Sequence, residues 1–348
     1  MDVYNLGTVA WQESQLYYHA LAHLGRSGLL LLQPASPYVC LGFHQDARKE
    51  VDLDYVRQAA IPLFRREVGG GAVYLDRGQL FYQFVFHKDD PALPASKDAF
   101  YRTFLAPAVK TFRDFGLDAA FKPVNDILVN GRKISGNGAA EIGDSVVLVG
   151  NFMMDFNYDQ MTRVLRVPDE KFRDKIHKSL QENLTTMGRE LGEAPAMETI
   201  ADRLLANSAE LVGGWEPAKI DDEIRAKADE LWEIYGQRDW TFFNDVRQET
   251  GREVKIAEGV TVVQKAVKLP GGLVHLTADK RDGRIYGIHL SGDFFIYPQH
   301  AVPELEAALE GAEFDMAALA ETIADFFKTH GIEAPGIVPQ ALAEAIVG

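Results

Sequence analysis

Hydrophobic and polar positions along this chain follow two periods, and the switches between them mark its elements. Val9, Leu16, Ala20, Leu21 and Leu24 fall at helical spacing, which predicts a helix over Thr8–Gly25 with Gly25 as its stop. Gly28–Gln33 and Tyr38–Gly42 are short apolar runs on either side of a Pro34–Pro37 turn and read as strands. A short helix is expected over Lys49–Ala60 and a strand over Ile61–Phe64. Leu80–Phe86 is a nearly unbroken apolar run, the pattern of a buried strand. Asp98–Gly116 places Phe100, Phe104, Leu105, Val109 and Phe112 on one stripe, so a long amphipathic helix is expected there, kinked or split at Pro107. Asn130–Gly131 between Ile127–Val129 and Lys133–Ser135 is a strong hairpin signal. Another strand is expected over Ser145–Phe152.

Further on, Asn157–Leu191 is polar and helical in parts, and Met197–Val212 and Asp221–Tyr235 read as helices. The texture changes near Trp240–Asp245. Short strands then follow over Gly259–Val267, Gly272–Ala278 and Arg284–Leu290, with a hairpin turn at Lys280–Gly283. Helices are expected over Pro303–Leu309 and Met316–His330, the second stopped by Gly331. The pattern is that of an α+β protein with a large domain over 1–245 and a small α+β domain over 252–348.

Composition narrows the function. The chain has 348 residues, 47% of them hydrophobic, ample for two cores. Its net charge of −15 argues against a protein that coats nucleic acid or an anionic membrane. The single cysteine, Cys40, excludes an intramolecular disulfide framework and fits a reducing, cytoplasmic compartment. The start of the chain lacks a basic run followed by an apolar one, so no signal peptide is expected, and no apolar stretch is long enough to span a bilayer. No long exposed apolar stripe stands out, so a monomer is expected.

Two stretches carry candidate chemistry. In the first, Arg65 and Arg66 lead into Gly69, Gly70 and Gly71, followed by Ala72, Val73, Tyr74 and Asp76. Consecutive glycines strip side chains from one arc, so a ligand can meet main-chain N–H groups, and the arginines supply forked donors for phosphate or carboxylate. A tight hairpin with a basic shoulder is the bland alternative. The second stretch holds Asn125, Asp126, Lys133, Ser135, Gly136 and Gly138 around the hairpin. A lysine fixed beside an acidic residue and a small-residue exit can hold a carboxylate or phosphate, and Asp126 can hold Mg²⁺ through oxygen.

Other polar residues are weaker candidates. His19 and His23 stand four apart on a helix but lack an evident third ligand, so packed or surface histidines are expected. Cys40 is expected to be a buried small hydrophobe rather than a nucleophile. His44 and Gln45 follow a strand and form a candidate binding edge. Arg163, Arg166, Lys171, Arg173, Lys175 and Lys178 make a basic run, either a solvated helix face or a segment that closes over an anion or meets an acidic partner.

These motifs together resemble the lipoate–protein ligase family. Arg65–Gly78, reading RREVGGGAVYLDRG, is similar to the family pattern R-R-x-x-G-G-G-x-V-x-x-D-x-G. Asn125–Asp126 and Gly131–Gly136 resemble its N-D and G-x-K-[IVL]-S-G segments, in the same order and spacing. Cys40–Gln45 and the small C-terminal domain resemble further parts of the two-domain members. The resemblance implies a large mixed-sheet catalytic domain of the biotin/lipoate ligase type. It also implies a two-step reaction, in which lipoate and Mg·ATP give lipoyl-AMP, and the acyl group then passes to a lysine of a lipoyl domain. The acceptors would be 2-oxoacid dehydrogenase acyltransferase subunits or the glycine cleavage H protein. By resemblance, Lys133 touches the lipoate carboxyl and the α-phosphate, Arg65, Arg66 and Gly69–Tyr74 bind lipoate and nucleotide with Asp76, Asn125, Ser135 and Gly136 nearby, and Asp126 positions Mg²⁺. Leu75–Gln79 departs from the family's H-D-x-G-N, and Lys178–Thr185 matches poorly the family's serine- and arginine-containing stretch. The choice between lipoate and octanoate stays open, as do a transferase that uses preformed lipoyl-AMP and a non-catalytic lipoate-binding protein.

Overall fold

The computed structural model describes residues 1–245, 254–257 and 260–348. The domain boundary expected at 251–252 and the strand start expected at Gly259 lie outside the described residues. Two compact units are present: Met1–Leu41 with Glu50–Arg66 and Ala72–Thr241, and Gly42–Lys49 with Glu67–Gly71 and Phe242–Gly348.

In chain order the elements begin β1 (Asp2–Val9), α1 (Glu13–His23), β2 (Gly28–Pro34), β3 (Tyr38–Leu41), α2 (Ala47–Glu50), α3 (Leu53–Gln58), β4 (Leu63–Arg65) and β5 (Val73–Leu75). Next come β6 (Gln79–His87), α4 (Lys97–Asp114), β7 (Ala119–Lys122), β8 (Asp126–Val129), β9 (Arg132–Ser135), β10 (Asn137–Ile142) and β11 (Ser145–Met153). Helices α5 (Tyr158–Val164), α6 (Glu170–Asn183), α7 (Met187–Leu191) and α8 (Met197–Ser208) follow, then β12 (Glu216–Pro217), α9 (Asp222–Tyr235) and α10 (Arg238–Thr241).

The first unit is built on a mixed six-stranded sheet in the order β10-β11-β6-β2-β1-β12. Its central strand β6 is the apolar run expected from the sequence, and it is buried from Gln79 through Phe86. Helix α4 covers one face. Phe104 is fully buried, with its ring centroid 4.4 Å from that of Phe86 and 5.0 Å from that of Phe100. The helix runs as one element through Pro107, so the expected split does not occur, and Ser96 caps its start by accepting from the Ala99 N–H. Two smaller sheets, β4-β3-β5 and β7-β8-β9, carry the candidate motifs.

Several expectations are revised by long-range pairing. Thr8 and Val9 end a strand rather than begin a helix, because β1 pairs in parallel with β2 from Asp2 opposite Gly28. The strands flanking the Pro34–Pro37 turn do not pair with each other. β2 lies between β1 and β6, whereas β3 lies between β4 and β5. The helix expected over Lys49–Ala60 is two, α2 and α3, because Asp52 leaves helical geometry to cap α3 through the Tyr55 N–H. The hairpin at Asn130–Gly131 forms as expected, with φ of 51° and 76° at the two turn residues, as a type I′ turn requires.

The second unit adds β13 (Val254–Ala257), β14 (Val260–Leu269), β15 (Gly272–Arg281) and β16 (Arg284–Asp293), an antiparallel sheet in that order. Along β15, buried and half-buried positions alternate, the period of a sheet with one face on a core. That core is closed by α11 (Ala301–Leu309), α12 (Met316–His330) and α13 (Pro339–Val347), through Leu305, Leu319, Ile323 and Ile346. Helix α13 is not anticipated by the sequence reading. Gly331 ends α12 in the left-handed conformation, as expected. Among the described residues no helix is long and apolar enough to cross a membrane.

The α4–β6 aromatic contact gives a stability prediction. Phe104→Ala removes a fully buried ring and is expected to cost about 3–5 kcal/mol in urea unfolding; a loss below about 1 kcal/mol would contradict the packing described.

Candidate active site

The lysine motif sits on a hairpin whose two strands bring its charges together. Asp126 opens β8 and Lys133 lies in β9. The ladder between them carries a bulge at Ile127–Leu128, with Leu128 opposite Lys133. Lys133 Nζ lies 2.7 Å from Asp126 Oδ1, with both side chains about one-third exposed or less. Below the ammonium is Gly136. A Cβ there would lie 3.4 Å from Lys133 Cε and 3.7 Å from Nζ, so this glycine borders the lysine at van der Waals distance.

Clasps on both sides hold the hairpin. On one side, Asn125 and Asn137 exchange side-chain amide to main-chain carbonyl hydrogen bonds, the second from Asn137 Nδ2 to Asn125 O at 2.8 Å. Ser135 is fully buried and donates to Asn137 Oδ1, which also accepts from the Tyr82 hydroxyl. Ser135 and Asn125 therefore shape the loop around Gly136. On the other side, Thr185 N–H donates to Lys133 O at 2.9 Å, and Leu184 bridges Lys133 in parallel. This ties the end of α6 to the lysine strand. Glu190 completes the clasp by accepting from Arg132 Nη2 at 2.7 Å, from Asn130 Nδ2 at 2.9 Å and from the Thr185 hydroxyl. Burial pushes the Glu190 carboxyl up, but the hydrogen bonds from Thr185, Arg132 and Asn130 together outweigh it and hold the group below its ordinary range.

The arginines diverge. Arg66 is half-buried and donates from Nη1 to Cys40 O at 3.2 Å, while its N–H donates to Leu41 O. Arg65, expected at the ligand, is fully buried. Its Nε and Nη2 donate to Thr241 O at 2.9 and 2.7 Å, and its own carbonyl accepts from Trp240 Nε1. The geometry gives Arg65 the task of anchoring α10, because its fork donates twice to the last carbonyl of that helix.

Glycines 69–71 belong to the second unit. The sequence reading expected their N–H groups to face an anion. Gly70 N–H donates to Phe294 O at 3.1 Å, and a Cβ on Gly71 would stand 3.0 Å from the Asp293 carboxylate. Close approach explains the motif in the same unit, since a Cβ on Gly42 would lie 1.8 Å from Gly70 O. Ala72 and Val73 are half-buried and Tyr74 is buried, its hydroxyl pushed up to about 12 chiefly by that burial. Asp76 accepts from Gly78 N–H at 2.9 Å. Its carboxyl is raised by burial, with the neighbouring Asp155 charge adding to the effect. It lines a cleft of about 390 Å³ with Gly78, Asp155, Tyr158 and His177.

The remaining candidates are structural. His19 is fully buried with Nδ1 2.7 Å from Gln15 O, and His23 Nε2 lies 3.1 Å from the Tyr235 hydroxyl. Among the described residues no group of three or more His, Cys, Asp or Glu is placed to hold a metal ion. His44 and Gln45 are buried rather than an open edge, and the His44 ring stacks on Phe294 at 4.8 Å. Cys40 is fully buried and its thiol is pushed up by burial, so it lacks both the exposure and the thiolate of a nucleophile. The basic run divides: Arg173 reaches Asp52 and Glu170, while α6 buries none of its residues. The sequence reading did not single out Asn137, Asn151, Tyr82 or Glu190. For Asn151 the available signal was a lone amide ending the apolar run Val146–Gly150.

Comparison with known proteins places this geometry. Residues 8–209 match the lipoyl protein ligase A/B catalytic domain, and 261–346 match the bacterial lipoate protein ligase C-terminus. The chain is 27% identical over 299 residues to a lipoate-protein ligase of Bacillus subtilis, covering 84% of each. It is 26% identical over 230 residues to an octanoyltransferase of Kyrpidia tusciae, covering 59% of this chain and 83% of that one. A solved bipartite lipoate protein ligase from Thermoplasma acidophilum, described with its E2 lipoyl domain, superposes with a TM-score of 0.63 at 27% identity, covering 72% of this chain and 98% of that one. Fold and motifs thus define an enzyme of the protein-acylating ligase class. The chain belongs to the lipoate–protein ligase family, enzymes that join lipoate to protein.

Two measurements follow. Glu190 has a folded pKa below its ordinary 4.5, so its contribution to stability is present above that value and lost as pH falls through the folded value. The stability gap between wild type and Glu190→Gln is therefore expected at pH 7 and expected to close below about pH 4; a gap that widens on acidification would contradict the clasp. The Cys40 thiol is expected to resist a disulfide-exchange reagent in the folded protein and to react in denaturant.

Proposed function

We propose that this chain is an ATP-dependent lipoate–protein ligase that converts lipoate and Mg·ATP to lipoyl-AMP and transfers the lipoyl group to a lysine of a lipoyl domain. The observation that carries the reading is the Lys133–Asp126 pair at 2.7 Å above Gly136. In the first step a lipoate carboxylate oxygen bonds to the α-phosphorus and pyrophosphate leaves. Two anions must approach, and a preplaced ammonium offsets their repulsion. Lys133 supplies that charge to the carboxyl and the α-phosphate. In the second step the neutral acceptor amine bonds to the acyl carbon, the bond to AMP breaks, the amine's proton leaves to solvent, and Lys133 faces the charge developing on the acyl oxygen.

Asp126 is the partner of Lys133 before substrate arrives. A single carboxylate suits Mg²⁺ that enters on ATP, because this ion keeps phosphate and water ligands and needs only one or two carboxylates. The exchange is then mutual, with Lys133 passing to the anionic substrate and Asp126 to the ion. Arg66, Gly69–Gly71, Ala72, Val73 and Tyr74 bind lipoate and nucleotide in this reading, while Asn125, Ser135 and Gly136 shape the lysine's surroundings. The catalytic domain is assigned to 1–245 and the accessory domain to 252–348. The acceptors are lipoyl domains of 2-oxoacid dehydrogenase acyltransferase subunits or the glycine cleavage H protein, modified by a monomer in the cytoplasm.

The likeness to an octanoyltransferase supports a second reading, transfer of octanoate. A route through a cysteine thioester is opposed by the burial of Cys40, the chain's single cysteine. An adenylate-using ligase that accepts either acyl chain is compatible with the same lysine.

Intact mass of a purified lipoyl domain, incubated with the protein, lipoate, ATP and Mg²⁺, tests the reading. A lipoyl mass gain that requires ATP and falls at least about a hundredfold in rate in Lys133→Ala is expected. Gain only from synthetic lipoyl-AMP would make the protein a transferase, and no gain from either would favour a binding protein.

A further inference from the structure

Tyr74 and Gly136 belong to the two separate candidate motifs, and no ladder joins them. Tyr74 lies in β5, in the β4-β3-β5 sheet, and Gly136 follows β9 at the end of the β7-β8-β9 sheet. Their main chains are nevertheless connected through two side-chain amides. Gly136 N–H donates to Asn151 Oδ1 at 2.8 Å, Asn151 Nδ2 donates to Gln79 Oε1 at 2.7 Å, and Gln79 Nε2 donates to Tyr74 O at 3.1 Å. Gln79 is 1% exposed and Asn151 9%. They sit diagonally on adjacent strands of the main sheet, where Met153 is opposite Gln79 and Asn151 is opposite Phe81.

The chain of bonds has a direction. Each amide accepts with its oxygen and donates with its nitrogen. A carboxylate at either position lacks the donor, and an apolar side chain lacks both. Burial gives such a network a large effect on geometry, because a broken link leaves a polar group unpaired away from water. The far end bears on the lysine. The Cβ position on Gly136 that lies 3.7 Å from Lys133 Nζ also lies 3.9 Å from Asn151 Oδ1, so the residue that Asn151 holds is a direct neighbour of the ammonium.

We propose that Gln79 and Asn151 are positioning residues that set the place of Lys133 relative to the strand following the glycine motif. Their kinetic consequence rests on the ligase reading above; their structural consequence does not. The Leu75–Gln79 segment departs from the family pattern at Gln79, and the relay gives that glutamine a function in this chain.

The test uses the full chain and Gln79→Met, which keeps side-chain length and removes both polar ends. Hydrogen exchange at the Gly136 amide is expected to quicken at least about tenfold, although Gln79 does not touch Gly136. The Leu305 amide, in the core of the second unit, is expected to stay unchanged and reports any general loosening. In lipoate-dependent pyrophosphate release, kcat is expected to fall about 10- to 100-fold with KM for ATP within about threefold, the pattern of a displaced reacting group. The double swap Gln79→Asn with Asn151→Gln preserves the summed length of the two amides and is expected to recover activity above either single swap. Unchanged exchange at Gly136 overturns the relay, as does a double swap no better than the worse single one. If the wild-type protein releases no pyrophosphate, the ligase reading fails and the exchange measurement alone decides the relay.

Discussion

The Lys133 ammonium and the Asp126 carboxylate are paired across one hairpin at 2.7 Å. Much of the surrounding structure serves that placement. The type I′ turn at Asn130–Gly131 fixes which residues of the two strands face each other. Glu190 grips the turn from outside, and the Asn125–Asn137 exchange closes the loop on the opposite side. Both clasps join side chains through several hydrogen bonds each, so the hairpin is held from two sides. A mutually paired lysine and aspartate also match a reaction in which an anion and a cation arrive together. In the proposed reaction each charge would exchange its partner for one among the substrates.

Anchoring of the hairpin reaches well beyond the motif. The main-chain carbonyl of Lys133 accepts from Thr185, immediately after α6. That helix buries none of its residues, carries Lys171, Lys175 and Lys178, and exposes Phe172. Its end is attached directly to the lysine strand.

Glycine-rich segments are read first as ligand cradles, and here the second unit makes a different use of one. Gly70 satisfies the Phe294 carbonyl, and Gly42 allows Gly70's own carbonyl to approach to a distance that excludes a side chain. The missing side chains therefore have a packing reason in this structure, independent of any ligand. Arg65 shows the same divergence of chemistry from position. It has the donor fork suited to phosphate, yet it lies buried on the Thr241 carbonyl, while Arg66, one residue on, remains half-buried beside Cys40.

Local pattern by itself determined the α+β class, the buried strand through Phe86, the stripe of α4, the Asn130–Gly131 turn, and the placement of Asp126 and Lys133 on the two arms of one hairpin. Each of these depends on residues within a few positions of each other, so period and turn chemistry suffice to specify it. Only the tertiary structure decided the rest. The pairing of β1 with β2 converted Thr8 and Val9 from helix to strand, and burial placed Arg65 and His44 away from the open positions expected for them. The Gln79–Asn151 relay and the Glu190 clasp join residues more than fifty positions apart. Such contacts are invisible to a local window, because a hydrogen bond depends on distance in space, and that distance is set only when the sheets have packed.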